Sequence, residues 1–132
     1  MQKITPFFLF EGTAEEAIHF YLSLFAESTI LSLSRYEQNE EGPAGSVRHA
    51  LFSLNGQEFM AIDSAVRHEF TFTPALSLHV RCETEAEWDR LYAALTEGGQ
   101  ILMPLDAYPF SRKYAWVNDK YGVSWQLNLA DG

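Results

Sequence analysis

Few side chains in this chain could carry out acid–base chemistry, and the best placed of them lies on a predicted strand. His79 falls in the alternating segment 75–82, and an unperturbed histidine titrates near neutrality, so His79 is the best candidate for a general acid or base. Gln126 and Asn128 share one side of another predicted strand, 123–129. They could anchor a ligand, but His79 could also be a hydrogen-bonded structural residue and Gln126 could satisfy buried backbone groups.

Other kinds of catalytic chemistry find little support in the motifs. The chain contains neither a Gly-x-Ser-x-Gly nucleophile motif nor a Gly-x-x-x-x-Gly-Lys phosphate-binding loop. Its one cysteine, Cys82, excludes an intramolecular disulfide and a multi-cysteine metal site. A single cysteine suits a reducing cytoplasm. We expect Cys82 to be buried against a helix.

The distribution of charged and apolar residues limits the kinds of partner that the protein could bind. The net charge is −9, and the nine basic residues are scattered, so a basic footprint for nucleic acid is absent. No apolar segment is long enough to span a membrane, and the start of the sequence has no signal-peptide pattern. These features predict a cytoplasmic protein that binds neither nucleic acid nor membrane.

The first half of the sequence predicts the order β-α-β-β-β. The apolar segment 4–10 reads as a strand, and the capping box from Thr13 to Glu16 starts an amphipathic helix. An Asn55-Gly56 hairpin turn joins the last two strands. The three strands after the helix are predicted over 29–36, 46–54 and 57–63.

The second half repeats this order after a joint at 64–74. A second capping box, Thr84 to Glu87, lies 71 residues after the first one, which indicates an internal duplication. The four strands of this half are predicted over 75–82, 100–107, 112–118 and 123–129. The sequence therefore predicts a single α+β domain, 1–132, with one βαβββ module over about 1–64 and another over 75–132. Curved mixed sheets would enclose a concave cavity, with the helices on the outer faces.

Strand alternation assigns side chains to that cavity. On the first strand we expect Phe8 and Phe10 on the cavity side. On the fifth strand we expect Leu76, Leu78 and Val80 to pack on the helices, while Ser77, His79 and Arg81 face the cavity. Rings with a few polar anchors suit a small organic ligand. The predicted ligand-binding residues are Phe8, Phe10, His49, Met60, His79, Trp116, Gln126 and Asn128.

Several segments resemble the PhnB-like branch of the vicinal oxygen chelate superfamily, which includes glyoxalase I, extradiol dioxygenases and bleomycin resistance proteins. The resemblance covers nearly the whole chain, and its most specific part is the closing octapeptide. The segments that carry it are Ile4-Thr5-Pro6-Phe7-Phe8-Leu9-Phe10, Ala14-Glu15-Glu16-Ala17, Phe20-Tyr21, Gly45-Ser46-Val47-Arg48-His49-Ala50, Gly56-Gln57-Glu58-Phe59-Met60-Ala61 and Asp119-Lys120-Tyr121-Gly122-Val123-Ser124-Trp125-Gln126.

The resemblance also bears on metal binding. Metal enzymes of the superfamily place His, Gln or Glu ligands on the first and last strands of each module, and the corresponding positions here are Pro6, Met60, Ser77 and Gln126. Only Gln126 could bind a metal, and divalent metals need three or four protein donors. The resemblance therefore implies a protein without a metal site or cofactor.

Three functions follow as hypotheses. The first is a metal-free small-molecule-binding protein that forms a homodimer, with an unknown ligand. The second is a lyase or isomerase, possibly metal-dependent, with His79 as general base. The third is sequestration of a cationic drug, which Arg48 and Arg81 near the cavity would disfavour. Whether the chain is an enzyme stays open. Relatives often carry a methyltransferase label, but we find no glycine-rich cofactor loop, and the chain is short for that fold.

Overall fold

Each half of the chain folds as one helix packed on one face of a four-stranded sheet. The computed structural model describes residues 2–38, 42–108 and 111–129. The first half contains β1 (Phe7–Phe10), α1 (Ala14–Leu24), β2 (Thr29–Arg35), β3 (Val47–Leu54) and β4 (Gln57–Asp63). The second contains β5 (Ser77–Cys82), α2 (Glu85–Thr96), β6 (Gln100–Tyr108), β7 (Ser111–Asn118) and β8 (Ser124–Leu129). The predicted α+β repeat of two βαβββ modules is confirmed.

The chain divides into two compact units, Met1–Glu69 and Phe70–Gly132. The boundary between them falls inside the predicted joint at 64–74. That both modules belong to a single domain stays a prediction.

The two sheets have the same strand order. The first is ordered β1-β4-β3-β2, and the second β5-β8-β7-β6. In each unit the first strand pairs in parallel with the last, and the other pairs are antiparallel. This order brings the first and last strands of each module side by side, although a helix and two strands separate them in the sequence.

The core of the first unit lies between α1 and one face of its sheet. The buried stripe of α1 consists of Ala14, Ala17, Ile18, Tyr21 and Leu24. Phe8 belongs to this core: its ring stacks on that of Phe59 at a centroid distance of 5.6 Å, and Phe59 stacks equally closely on Phe52. Phe10 is also buried, with 3% of its surface exposed.

The prediction that Phe8 and Phe10 lie on the cavity side of β1 is therefore wrong. All four residues of β1 are apolar, so the sequence carries no alternation that could distinguish its two sides. The parallel pairing decides the matter, since it sets Phe8 beside Ala61 on the helix-covered face and Phe7 beside Met60 on the other face.

The start of α1 also differs from the prediction. Thr13 makes no side-chain capping hydrogen bond. Instead the buried Asp63, at the end of β4, accepts hydrogen bonds from the backbone N–H groups of Gly12 (2.8 Å), Ala14 (2.9 Å) and Val47 (2.9 Å). A carboxylate at this place satisfies helix donors that would otherwise lack partners, and its charge suits the positive end of the helix.

The second capping box is confirmed at its Thr84 end. The Thr84 Oγ1 accepts a hydrogen bond from the backbone N–H of Glu87 at 3.1 Å. The Glu87 carboxylate reaches back one residue further than predicted and accepts from the backbone N–H of Glu83 at 2.9 Å.

The core of the second unit is built around two tryptophans. Trp88 on α2 is fully buried and donates from Nε1 to the carbonyl of Leu127 at 3.2 Å. The register places Leu78 and Val80 beside Trp125 and Leu127, as predicted. Leu76 does not join them: it precedes β5 and is 73% exposed, so its predicted packing on the helix is wrong.

Cys82 ends β5 in this core and is fully buried, as predicted. Burial raises the pKa of its thiol to about 12, and the nearby Glu87 carboxylate acts in the same direction.

The turn between β7 and β8 is held by a buried carboxylate. Asp119 Oδ1 accepts from the backbone N–H groups of Tyr121 (2.8 Å) and Val123 (3.1 Å), while Oδ2 accepts from Trp125 Nε1 (2.9 Å). These bonds define where β8 begins, and therefore which of its side chains point to each face.

Neither helix of the described chain has the length and apolar character needed to cross a membrane.

Candidate ligand-binding faces of the two sheets

In each unit, the sheet face opposite the helix carries most of the predicted site residues, and we call it the open face. On the second sheet, the register of β5, β8 and β7 arranges the side chains of this face in three rows. The rows are Ser77–Ser124–Asn118, His79–Gln126–Trp116 and Arg81–Asn128–Tyr114.

Gln126 lies at the centre of this grid and is held at both ends of its amide. Its Nε2 donates to Ser77 Oγ at 2.7 Å, and its Oε1 accepts from the Tyr114 hydroxyl at 2.8 Å. Together these two bonds fix the orientation of the amide. Gln126 thus links three strands of the sheet.

Trp116 lies beside Gln126 and is also held by a hydrogen bond. Its Nε1 donates to Ser124 Oγ at 2.8 Å, which restricts the orientation of the indole ring. The ring is half-buried, whereas Ser124 is almost fully buried. A fixed aromatic surface next to fixed polar groups is typical of small-molecule sites.

Two acceptor atoms of this face have no donor within reach among the described residues. They are Asn118 Oδ1 and Asn128 Oδ1, both of which are buried. A buried acceptor without a donor costs roughly 1–3 kcal/mol of folding free energy. The two asparagines lie in the rows on either side of Gln126 and Trp116.

The β5 edge of this face carries two cationic or potentially cationic side chains. His79 is exposed and lies beside Gln126 in the register. Arg81 is exposed as well, with its guanidinium 3.7 Å from the Glu83 carboxylate. The predicted direction of Ser77, His79 and Arg81 away from the helix agrees with this register.

The open face of the first sheet has a different character. Met60 lies at its centre, between Phe7 on β1 and Leu51 on β3. The ring of His49 lies 6.2 Å from that of Phe7, at an interplanar angle of 57°. Leu9 and Ile62 form the next pair along the strands. The centre of this face is therefore apolar, whereas polar groups, among them His49 and the paired Ser53 and Glu58, lie around that centre.

The structure brings the predicted site residues together in two groups. His79, Trp116, Gln126 and Asn128 share the open face of the second sheet, and His49 and Met60 share that of the first. Phe8 and Phe10 belong to neither group. That these residues bind a ligand stays a prediction.

Sequence reasoning missed several residues of these faces, among them Phe7, Tyr114, Asn118 and Ser124. Tyr114 and Asn118 each lie two residues from Trp116 on one predicted strand, so alternation would have found both. Ser124 was assigned to the polar side of β8 but not to the site. No local signal could have selected Phe7 over Phe8.

The four positions at which the resemblance implies metal ligands form two adjacent pairs. In the first unit the Met60 N–H donates to the Pro6 carbonyl at 2.9 Å, and in the second Gln126 bonds Ser77. Divalent metals need several N, O or S donors, and these positions supply one amide oxygen, which already accepts from Tyr114. The residues present therefore do not fit such a metal. Across the described residues, no three His, Cys, Asp or Glu side chains form a metal-binding group.

The fold defines the class of protein. A glyoxylase/bleomycin resistance protein/dioxygenase domain from Frankia sp. EAN1pec is 14% identical in sequence, covers 99% of this chain and 93% of its own, and superposes with a TM-score of 0.67. At that identity the likeness concerns the fold alone. Two modules, each with a helix on a four-stranded mixed sheet, are the vicinal oxygen chelate architecture.

Within that class, the chain belongs to the PhnB-like family. The family model described as 3-demethylubiquinone-9 3-methyltransferase matches residues 2–128. A PhnB protein from Bacillus cereus, described as a candidate 3-demethylubiquinone-9 3-methyltransferase, is 64% identical, with coverage of 98% of this chain and 100% of its own and a TM-score of 0.96. Protein PA1353 from Pseudomonas aeruginosa is 26% identical over the full length of both chains, with a TM-score of 0.83. A search of curated proteins finds no match.

Proposed function

We propose that this protein binds a small organic ligand on the open face of its second sheet, without a metal ion held by the protein. The observation that carries the proposal is the locked amide of Gln126. A side chain tied to Ser77 and Tyr114 presents the same atoms to every ligand, and such fixed groups reduce the entropy lost on binding.

The neighbours of Gln126 support a binding role. Trp116 supplies a half-buried aromatic surface that cannot rotate without breaking its bond to Ser124. Asn118 and Asn128 supply polar atoms that the described part of the fold does not use. A purely structural network would be expected to satisfy its own buried groups, because each unsatisfied one reduces stability.

Binding, rather than methyl transfer, is the activity that the geometry favours. The name of the B. cereus relative points to a methyltransferase. The described strands form two four-stranded mixed sheets, whereas nucleotide-type cofactors are commonly held by a doubly wound parallel sheet with a glycine-rich loop. The segment between β1 and α1, where such a loop would lie, contains the single glycine Gly12.

An enzymatic alternative has one specific observation in its favour. His79 is exposed on the open face beside Gln126, so a ligand there would lie within reach of an imidazole. In this alternative the protein is a lyase or isomerase with His79 as general base. His79→Gln would then abolish turnover but leave ligand affinity within about twofold.

For drug sequestration, the exposed Arg81 on the same face is unfavourable to a cation.

We also propose that the protein acts as a cytoplasmic homodimer. The single buried thiol of Cys82 suits a reducing compartment. Large apolar side chains such as Ile4, Phe70 and Leu76 are more than 60% exposed in the isolated chain, which is consistent with a covering partner. Light scattering on the purified protein would show a mass of 30 kDa if it is dimeric, twice the 15.0 kDa of the chain.

Two measurements test the main proposal. The first is elemental analysis of protein purified without added metal and again after incubation with Zn²⁺, Ni²⁺, Mn²⁺ and Fe²⁺. We expect no stoichiometric metal, and one metal ion per chain would contradict the proposal. The second is an NMR fragment screen on the wild type, Gln126→Leu and the control Gln38→Leu, which removes an exposed amide from a loop.

The screen distinguishes binding at the site around Gln126 from nonspecific binding elsewhere on the protein. Fragments that bind as proposed shift resonances of Trp116 and Gln126 in the wild type and in the control, but bind at least tenfold more weakly to Gln126→Leu. Equal binding to all three proteins would place the ligand elsewhere.

A further inference from the structure

On the open face of the second sheet, some hydrogen-bonding groups have partners within the face and others have none. Two of its donors are engaged within the face: the Tyr114 hydroxyl bonds Gln126, and the Trp116 N–H bonds Ser124. Two of its acceptors, Asn118 Oδ1 and Asn128 Oδ1, meet no donor in the described chain. These two oxygens are therefore acceptors that the described chain leaves unused.

We infer that the ligand is a flat molecule that lies on Trp116 and carries N–H or O–H donors directed at Asn118 and Asn128. This inference rests on the proposed binding function and specifies the class of ligand. A carboxylate or phosphate brings only acceptors, so it would leave both asparagine oxygens without partners. An amide or a hydroxylated ring would satisfy them.

The register sets the size of the ligand. The two asparagines lie in the rows on either side of the one that holds Gln126 and Trp116. Side chains on the same face of a strand repeat every two residues, or about 7 Å, so the two outer rows, which hold Asn118 and Asn128, are about 14 Å apart. A single compact group cannot reach both oxygens, and each takes a separate donor at one end of an elongated ligand.

The asparagine oxygens can reach such a ligand by a small motion. Both side chains are half-buried as a whole, although their Oδ1 atoms are covered. The terminal torsion of asparagine has a broad energy minimum, so a rotation of the amide can turn the oxygen toward the face without moving the backbone.

A matched pair of probes tests the class of ligand. 2-Naphthamide and methyl 2-naphthoate share the ring and the carbonyl group, but only the amide has N–H donors. Each is titrated into ¹⁵N-labelled protein while the side-chain amide resonances are followed. We expect 2-naphthamide to shift the resonances of Asn118 or Asn128 and to bind at least fivefold more tightly than the ester.

Variants assign the preference to particular atoms. Asn118→Leu and Asn128→Leu remove one acceptor each, and together they should abolish the preference for the amide. Asn128→Asp keeps an acceptor oxygen and should retain the preference. Gln38→Leu is the control for amide removal and should behave as the wild type. The leucine variants should have melting temperatures no lower than that of the wild type, because no donor is left behind.

The remaining outcomes would overturn the inference. Equal binding of the ester on this face would leave the small-molecule site standing but refute the ligand class. A preference that survives loss of both asparagines would place the acceptors elsewhere. If neither probe shifts any resonance of the face, the inference is also refuted, and the fragment screen above then decides separately whether the binding function stands. A large loss of stability in Asn128→Leu would show that the oxygen already has a partner.

Discussion

The two units share one topology but differ in the side chains of their open faces. On the first sheet the central residue is Met60, and its neighbours Phe7 and Leu51 are apolar. On the second, the equivalent position is Gln126, which is tied into a network with Ser77 and Tyr114. Strand order and helix packing therefore do not determine what a face can bind. A few outward-pointing residues do, and these are free to diverge because they take no part in the core.

The helix starts show a second contrast between the units. The second helix is capped locally, by Thr84 within its own capping box. The first is capped from a distance, by Asp63 at the end of β4. A local cap stabilises mainly its own helix, whereas a distant carboxylate ties the helix to the sheet.

The largest effect that we predict is for Asp63. Asp63→Ala should reduce the free energy of unfolding by about 4 kcal/mol, because three backbone N–H groups lose a charged acceptor and two of these bonds are buried. Urea denaturation measures this loss. Asp63→Asn, which keeps one acceptor oxygen, should lose less. A loss below about 1 kcal/mol for the alanine variant would show that the distant cap contributes little.

The contrast between the open faces predicts that substitutions at the equivalent positions Gln126 and Met60 reduce stability by different amounts. Gln126→Leu should destabilise the protein by about 2 kcal/mol, since the Tyr114 hydroxyl and Ser77 lose their partner. Met60→Leu conserves volume on an apolar face and should cost less than about 1 kcal/mol. Thermal unfolding of the two variants in parallel gives the comparison. Equal losses of stability would mean that the hydrogen bonds of Gln126 contribute no more than the apolar contacts of Met60.

The two capping boxes offer a smaller test with a built-in control. Thr84→Ala should cost about 1 kcal/mol, the usual value for an N-cap hydroxyl. Thr13→Ala should be nearly neutral, within about 0.3 kcal/mol, because Thr13 makes no capping bond. Chemical denaturation of both variants measures the difference. If Thr13→Ala were as costly as Thr84→Ala, local capping would operate in both units.

The smallest effect concerns an ion pair between α1 and β2. Arg35 donates two hydrogen bonds to the Glu15 carboxylate, which holds the pKa of Glu15 below its ordinary value of 4.5. The unfolded state then binds more protons at low pH, so this contribution is present above pH 4.5 and is lost as the pH falls through the folded pKa. The pair is largely exposed, and we expect at most about 0.5 kcal/mol. Glu15→Gln should therefore show a slightly weaker acid dependence than the wild type in pH-dependent denaturation.

Much of the scaffold could be predicted because its signals are local. Alternation, capping boxes and turn residues placed every strand and both helices, and most boundaries differ from the observed ones by no more than two residues. The face of β8 could be predicted because apolar and polar residues alternate along it. The face of β1 could not, because all four of its residues are apolar. The cap at α1 could not either, since Asp63 lies 50 residues beyond Thr13 in the sequence.

The sequence by itself determined the repeat, the order of the elements and the side chains that could serve a ligand, because helix periodicity, strand alternation and turn chemistry act between near neighbours in the chain. Only the tertiary structure decided which atoms of those side chains are already engaged. The bonds of Gln126 to Ser77 and Tyr114 join strands that are distant in the sequence, and they depend on a register that forms when the sheet assembles. Whether a polar atom remains available to a ligand is a property of the packed sheet, and no local pattern encodes it.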